Sequence, residues 1–151
     1  MDVFSKEKRS DVMSKIRGRG NKDTELTLVQ IFKEFHITGW RRNQKVIGKP
    51  DFTFWKQRVV VFVDGCFWHC CPLHSTLPKT NKEFWENKLA KNKERDEYVT
   101  NLLGNKGWKV LRIWEHDLND HFLIAQIVIK ELEKITQPFF CKFESEIPIV
   151  L

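Results

Sequence analysis

The stretch GKPDFTFWKQRVVVFVD, residues 48–64, decides the fold because it joins two strand-like runs through a short connection. Residues 51–55 and 59–64 are rich in β-branched and aromatic side chains, and Lys56-Gln57-Arg58 links them, which predicts an antiparallel hairpin. Residues 59–63 are apolar at every position, so neither face of this strand suits contact with water. The sequence therefore predicts a central strand in a sheet that is covered on both sides.

The residues before the hairpin predict a helix and a first strand. Apolar residues follow the i, i+3, i+4, i+7 spacing of a helix from Asp23 onward, at Leu28, Ile31, Phe32 and Phe35. Asp23 and Glu25 place acidic side chains in its first turn, where the helix dipole favours them. Residues 40–47 then read as a strand.

The residues after the hairpin predict a helical crossover. A loop rich in Gly, Cys and His (65–80) precedes a long helix, 82–104, with Phe84, Tyr98, Val99 and Leu103 on its expected apolar face. A strand at 108–114 can then pair in parallel with residues 59–63. A last helix, 117–135, is expected to turn Leu118, Phe122, Ala125, Ile129 and Leu132 inward. The order predicts an α/β fold with a mixed sheet flanked by helices.

Length and composition limit the class of protein. The 151 residues suffice for one domain, and 41% hydrophobic with 30% charged residues excludes both disorder and a membrane span. The N-terminal residues contain no apolar core of a signal sequence, and two of the four cysteines are adjacent, which makes a poor disulfide framework. We expect a protein of the reducing cytoplasm.

The positive charge is concentrated near the N-terminus. Residues 1–58 carry 14 basic and 7 acidic side chains, whereas residues 59–151 carry 12 and 13. Such asymmetry predicts a polyanionic partner, with residues 1–20 as a basic arm, although a solvated tail has the same composition. The arm contains Lys8, Arg9, Lys15, Arg17 and Arg19.

Two aspartates flank the hairpin. A three-residue turn aligns Asp51 with Val63 or Asp64, so two oxygens could meet and hold a hard cation such as Mg²⁺. An aspartate after a proline is also a common way to begin a strand.

The segment GCFWHCCPLH, residues 65–74, is a candidate zinc site. Cys66, Cys71 and His74, with His116 after the fourth strand, are the donors that zinc takes, and four of them would close a tetrahedral site. Cys70 could replace Cys71, and buried cysteines without metal are also common. Phe67 and Trp68 adjoin these donors, and with Trp85 they could stack on or wedge between bases, although core packing is the more usual role of aromatics.

The motifs together resemble the very-short-patch repair (Vsr) DNA mismatch endonucleases. They are RSDVMSKIRGRG (9–20) followed by Glu25, GKPDF (48–52), VVVFVDGCFWHCCPLH (59–74), NKEFWENKLAKNKERD (81–96) and GWKVLRIWEHDL (107–118). The resemblance covers about residues 6–120. It implies a restriction-endonuclease-like fold, similar to the PD-(D/E)xK nucleases, with an endonuclease domain at 21–135 and a C-terminal tail at 136–151.

The resemblance also implies roles for residues. Asp51 matches the catalytic carboxylate that binds Mg²⁺ together with the main-chain carbonyl of Val63. His69 matches the general base that activates water, and Glu25 matches an acidic residue near the site. The reaction implied is a nick of one strand of duplex DNA, 5′ to the T of a T:G mismatch, the product of 5-methylcytosine deamination.

The remaining candidates match structural and DNA-binding positions of the family. The resemblance makes the zinc structural, places the aromatic wedge beside the mismatch from the major groove, and lays the basic arm across the minor groove. Zinc would be held by Cys66, Cys71, His74 and His116, and the wedge would consist of Phe67, Trp68 and Trp85.

Two positions depart from the family pattern. Asp64 stands where some members have histidine, so it is either an extra Mg²⁺ ligand or a change in the acid or base. Cys70 stands where a small residue without a donor atom is expected, which leaves the zinc set open by one residue.

The competing functions are a nuclease of the same fold without mismatch preference, for example one that serves a restriction system, and a zinc-stabilised DNA-binding module without catalysis. The mismatch-endonuclease reading predicts a monomer that works at the nucleoid without membrane contact, linked to a DNA cytosine methyltransferase and other repair proteins.

Overall fold

The computed structural model describes Lys8 and residues 24–74 and 76–136, with side chains up to residue 134. Lys8 is helical and exposed. The rest of the basic arm and residues 137–151 lie outside the described residues, so the predicted arm and tail stay predictions. Within the described part, no helix combines the length and apolar character that crossing a membrane requires.

A four-stranded mixed sheet forms the centre. Its strands are β1 (Trp40–Arg42), β2 (Phe52–Phe54), β3 (Val59–Asp64) and β4 (Lys109–Trp114), in that spatial order. β2 and β3 form the predicted antiparallel hairpin, and β3 and β4 pair in parallel from Val59 opposite Lys109 to Asp64 opposite Trp114. The prediction of an interior third strand is confirmed.

Helices cover both faces of the sheet, as the all-apolar β3 requires. They are α1 (Glu25–Glu34), α2 (Lys82–Asn105), a 3-10 turn (Glu115–Asn119) and α3 (His121–Thr136). On one face α1 and α3 enclose the larger core, which includes Phe32, Phe52 and Val128. On the other face Leu103 of α2 packs against Val60 and Phe62.

Two element boundaries differ from the sequence prediction by several residues, and the others by at most two. The first strand ends at Arg42 instead of residue 47, because Asn43 takes a left-handed conformation with φ of 54° that leaves the sheet. The last helix begins at His121 instead of residue 117, because residues 115–119 form the 3-10 turn. Asp120 then caps the helix, since its Oδ1 accepts the Leu123 amide at 2.9 Å.

The predicted apolar faces of the two later helices were partly wrong. Phe84 and Tyr98 of α2 are 58% and 64% exposed, and Phe122 of α3 is 61% exposed. Only the C-terminal part of α2 lies on the sheet, through Val99 and Leu103, while its N-terminal part packs against the loop that follows β3.

Gly48 brings the loop before β2 against α2. Its φ is 78°, and a Cβ atom there would lie 2.3 Å from Cγ1 of Val99 and 3.3 Å from Cζ of Phe62. Only glycine allows this approach without displacement. The contact sets the path of the chain into Pro50 and Asp51.

Candidate active site and metal centre

A cavity of about 610 Å³ opens where β2 begins and β3 ends. Asp51 lies in it, and its Oδ2 accepts the Val63 amide at 2.8 Å. Continuing the strand register by one step places Asp51 opposite Phe62, one residue from the position expected from the sequence. The side chain nevertheless reaches the Val63 peptide, so the predicted pair of residues meets.

The environment of Asp51 disfavours a negative charge. Burial is the main cause that raises the pKa of Asp51 to about 6. The nearby Glu25 and Asp64 carboxyls contribute to this increase, while the Val63 amide and Arg42 act in the opposite direction. A bound cation would offset this electrostatic cost of ionising Asp51. The oxygen ligands at this position are therefore suited to a hard metal ion.

Glu25 begins α1 and points into the same cavity. It is buried and forms an ion pair with Arg42 at the end of β1. The residue thus lies beside Asp51, as the resemblance implied, with its charge balanced by a fixed guanidinium.

His69 is the centre of a second group on the cavity wall. Its Nδ1 lies 2.5 Å from Oδ2 of Asp96 in α2 and 3.7 Å from Oδ1 of Asp64 at the end of β3. An imidazole with a proton on Nδ1 donates a hydrogen bond to Asp96, and Nε2 is then the nitrogen that can accept a proton. His69 is thereby oriented as a general base requires.

Asp64 is held by an arginine. Its two oxygens accept hydrogen bonds from Nε and Nη2 of Arg112 on β4 at 2.6 and 2.8 Å. The same Nη2 lies 3.1 Å from Oδ1 of Asp96. Burial alone would lower the pKa of Arg112, but its hydrogen bonds to Asp64 and Asp96 and their negative charges raise that pKa. The structure therefore gives Asp64 an ion pair within the protein.

One face of α2 carries three residues that serve the site. Asn92 donates from Nδ2 to the carbonyl of Trp68 at 3.1 Å, Arg95 lines the cavity, and Asp96 holds His69. These positions are spaced i, i+3 and i+4, so they share one helix face. The NKERD segment marked the resemblance, but no role for its residues was predicted from the sequence.

The aromatic candidates form one cluster. The Phe67 ring centroid lies 5.1 Å from that of Trp68 and 5.3 Å from that of Trp85, and Trp68 and Trp85 are 6.0 Å apart. All three are partly exposed. The loop is a tight turn, with the His69 amide bonded to the Gly65 carbonyl, so neighbouring aromatics do not point to opposite sides as they would in a strand.

The zinc candidates also come together. One donor atom each of Cys66, Cys71, His74 and His116 lies within 4.8 Å of the others. The Sγ to Nδ1 distances are 3.2 Å for Cys66 and His116, 3.6 Å for Cys71 and His74, and 3.7 Å for Cys71 and His116. Cys70, with a left-handed φ of 56°, is not part of the group.

These distances suit a single zinc ion. Tetrahedral Zn²⁺ with ordinary bond lengths separates a sulfur from a nitrogen by about 3.6 Å. Burial raises the pKa of the Cys66 thiol, and Cys71 and Glu115 add to this effect, while a main-chain hydrogen bond of His116 acts in the opposite direction; a bound cation would favour the Cys66 thiolate. The four residues thus fit a structural Cys₂His₂ site.

Comparison with known proteins agrees with this geometry. A family model described as DNA mismatch endonuclease Vsr matches residues 1–74. The type II nicking enzyme V.NmeAIP of Neisseria meningitidis serogroup A is 40% identical over 122 residues, which span 79% of this chain and 85% of that enzyme. The DNA mismatch endonuclease Vsr of Escherichia coli K12 is 37% identical over 118 residues, 76% of this chain and 73% of that protein. The chain belongs to the Vsr family.

Two further comparisons define the extent of this likeness. The type II nicking enzyme V.NaeI of Lentzea aerocolonigenes is 54% identical over 69 residues, so the match spans 46% of this chain and 42% of that enzyme. The catalytic domain of the homing endonuclease I-Bth0305I superposes with a TM-score of 0.51 at 23% identity, over 75% of this chain and 96% of that domain. The predicted restriction-endonuclease-like fold is thus confirmed, and as a Vsr-family protein the chain is a DNA endonuclease.

Proposed function

We propose that this Vsr-family chain is a Mg²⁺-dependent endonuclease that nicks one strand of duplex DNA 5′ to the T of a T:G mismatch, the first step of very short patch repair. The observation that carries the proposal is that Asp51 and His69 line one cavity while Phe67 and Trp68 of the aromatic cluster adjoin His69 on the same turn. The names of two relatives, a mismatch endonuclease and a nicking enzyme, support both parts of it.

Asp51 and the main-chain carbonyl of Val63 would hold Mg²⁺, an ion that prefers oxygen ligands. Glu25 is paired with Arg42 and Asp64 with Arg112, whereas Asp51 accepts only a main-chain amide among the hydrogen bonds described. When bound, the metal stabilises negative charge on the pentavalent phosphorus and on the leaving 3′ oxygen.

His69 takes the proton of the attacking water. Asp96 accepts a hydrogen bond from the Nδ1–H group, which fixes the ring and leaves Nε2 as the basic nitrogen. Attack on phosphorus with loss of the 3′ oxygen leaves a 5′ phosphate and a 3′ hydroxyl. Glu25, paired with Arg42, adds a negative charge beside Asp51.

The aromatic cluster supplies the contact with the mismatch. A mismatched step costs less to unstack than a paired one, so Phe67, Trp68 and Trp85 would enter there most easily. The basic arm, with Lys8, Arg9, Lys15, Arg17 and Arg19, adds phosphate contacts that carry no sequence information. The zinc site would fix both ends of the turn that bears Phe67, Trp68 and His69.

The setting of this reaction follows from the same proposal. One DNA-binding face suits a monomer, the substrate places the enzyme at the nucleoid in the cytoplasm, and the lesion arises where a DNA cytosine methyltransferase acts. Other repair proteins would then replace the nicked strand.

The test is a gel assay of a labelled duplex with one T:G mismatch, in several sequence contexts, beside its T:A control. Mg²⁺ is omitted in one arm, without a chelator, because EDTA would also remove zinc. We expect Mg²⁺-dependent nicking of the T strand alone, 5′ to the T. Equal nicking of both duplexes would favour a restriction-type or general nuclease, and binding without nicking would favour a non-catalytic module.

A further inference from the structure

Arg112 contacts both carboxylates that lie near His69. We propose that Arg112 is a positioning residue for the nicking reaction, because its guanidinium selects Asp96 and not Asp64 as the partner of His69 and holds the Asp96 carboxylate in the orientation that the imidazole needs. The inference rests on the proposed role of His69 as general base.

The geometry divides the four carboxylate oxygens between two partners. Both oxygens of Asp64 accept hydrogen bonds from Arg112, at 2.6 and 2.8 Å. Oδ1 of Asp96 forms an ion pair with Nη2 of Arg112 at 3.1 Å, and Oδ2 lies 2.5 Å from Nδ1 of His69. Arg112 thereby fixes the rotation of the Asp96 carboxylate, and each oxygen of that group has one assigned partner.

The same arrangement prevents Asp64 from accepting a hydrogen bond from the His69 imidazole. Oδ1 of Asp64 is 3.7 Å from Nδ1 of His69, close enough that a small rotation would make it a competing acceptor. With both of its oxygens bound by a planar fork, Asp64 does not turn. Loss of the guanidinium would leave two neighbouring carboxylates without a cation and His69 with two alternative partners.

Arg112 is itself held in place. It projects from β4 beside β3, and its guanidinium carbon lies 5.1 Å from the centroid of the Phe62 ring. Its side chain is 24% exposed, so neighbouring groups restrict its movement. Lysine would keep the charge but not the two parallel hydrogen bonds to Asp64 or the stacking on Phe62.

The experiment measures single-turnover nicking of a duplex that the wild-type enzyme nicks, with enzyme in excess over DNA. The variants are Arg112→Met, Arg112→Lys, Asp96→Asn and the double variant Asp96→Asn/Arg112→Met, and His69→Ala tests the base itself. Arg58→Met is the matched control, since Arg58 is an exposed arginine that stands over Trp108.

We expect Arg112→Met to slow nicking about 10- to 100-fold, the usual effect of a misplaced catalytic group, with DNA affinity in the absence of Mg²⁺ unchanged within about twofold. Arg112→Lys should recover only part of the rate. The double variant should be no slower than Asp96→Asn, because Arg112 acts through Asp96. Long-range ¹⁵N correlation spectra of Arg112→Lys should keep the proton on Nδ1 of His69 but show two sets of His69 resonances, one for each carboxylate partner.

Opposite results would overturn the inference. Rates within twofold of wild type for Arg112→Met would show that Arg112 does not position the base. If the methionine variant does not fold, a wild-type rate and a single set of His69 resonances in Arg112→Lys would show the same. Multiplicative losses in the double variant would show that it acts independently of Asp96. If instead His69→Ala nicks at the wild-type rate, His69 is not the general base. That result would refute the proposed function of His69 and is distinguishable from a failure of the Arg112 proposal alone.

Discussion

Nδ1 of His69 lies 2.5 Å from Oδ2 of Asp96, which is 27 positions further along the chain and on a different element. The pair joins the turn after β3 to the middle of α2. Asn92, one helical turn before Asp96, makes a second link by donating to the Trp68 carbonyl. The long helix therefore determines where the imidazole lies, although it contributes few residues to the core.

The first prediction concerns this pair. Asp96→Asn should lower the single-turnover nicking rate about 100-fold, since an amide can also present a donor to Nδ1 and so favour the wrong tautomer. His69→Ala should cost about 10²- to 10⁴-fold. Binding of mismatched DNA, measured by fluorescence anisotropy without Mg²⁺, should stay within about twofold. An Asp96→Asn enzyme as fast as wild type would contradict the assignment.

The second prediction separates the adjacent cysteines. Cys71→Ser should lose zinc, measured by elemental analysis of the purified protein, and should lower the melting temperature, because a structural site contributes folding free energy. Cys70→Ser is the matched control and should retain about one zinc per chain. Equal zinc contents in the two variants would refute the assignment of Cys71.

The third prediction concerns the aromatic cluster. Trp85→Ala removes the ring that contacts both Phe67 and Trp68, at 5.3 and 6.0 Å. Stacking on an aromatic ring contributes about 1–3 kcal/mol per base, so the preference for T:G over T:A duplexes should fall about 10-fold or more. The ratio of nicking rates on the two duplexes is the measurement.

Trp55→Ala is the control for this change. Trp55 is 50% exposed and packs against Trp108, away from the cluster. It should leave the T:G preference unchanged. An identical loss in both variants would mean that the preference does not depend on the cluster.

The fourth prediction concerns pH. The pKa of Asp51 is raised to about 6 in the folded chain, against 3.8 ordinarily, so ionised Asp51 destabilises the metal-free fold above pH 6 and has no such effect below pH 3.8. Asp51→Asn removes this penalty and keeps an acceptor for the Val63 amide. Without Mg²⁺, the variant should therefore be more stable than wild type at pH 7.5, by roughly 1–3 kcal/mol.

The measurement is urea unfolding of both proteins between pH 5 and 8, with zinc retained and no chelator. The difference in the free energy of unfolding should shrink as the pH falls through 6. Mg²⁺ should stabilise the wild type and not the variant, because only the wild type has the carboxylate ligand. A difference that does not change with pH would contradict the raised pKa.

The fold was largely predictable because its central signal is strong. An all-apolar run such as 59–63 has few alternatives to an interior strand, and the short connection before it dictates the hairpin. The end of β1 was not predictable, since it depends on the left-handed conformation of Asn43 and not on hydrophobic pattern. Phe84 and Tyr98 were misplaced because helical spacing does not tell how much of a long helix reaches the sheet.

The site was predictable where the resemblance covered it and incomplete elsewhere. Motif matches led to Asp51 and His69, and donor chemistry led to Cys66 and its partners. Arg112 and Asp96 were missed, since an arginine within a strand and an aspartate within a charged helix have the same appearance as surface residues. Only the parallel pairing that places Asp64 opposite Trp114 brings Arg112 beside it.

The last prediction tests the loop that leads into Asp51. Gly48→Ala places a methyl group 2.3 Å from Cγ1 of Val99 at a φ of 78°, so it combines backbone strain with a clash. Gly39→Ala, at a φ of 89° with nothing within 4 Å, has the strain alone, and Gly104→Ala, in α2 with open space around it, has neither. The three glycine variants thus separate the cost of backbone strain from the cost of the steric clash.

Gly39→Ala should lower the free energy of unfolding by about 1 kcal/mol, and Gly104→Ala should raise it slightly through better helix propensity. Gly48→Ala should cost about 2–4 kcal/mol, as overpacking adds to the strain. The methyl group in Gly48→Ala displaces the loop that leads into Asp51. Gly48→Ala should therefore also slow nicking by the folded enzyme, whereas Gly39→Ala should not. Equal losses of stability for Gly39→Ala and Gly48→Ala would show that Val99 moves aside freely and that the contact does not position Asp51.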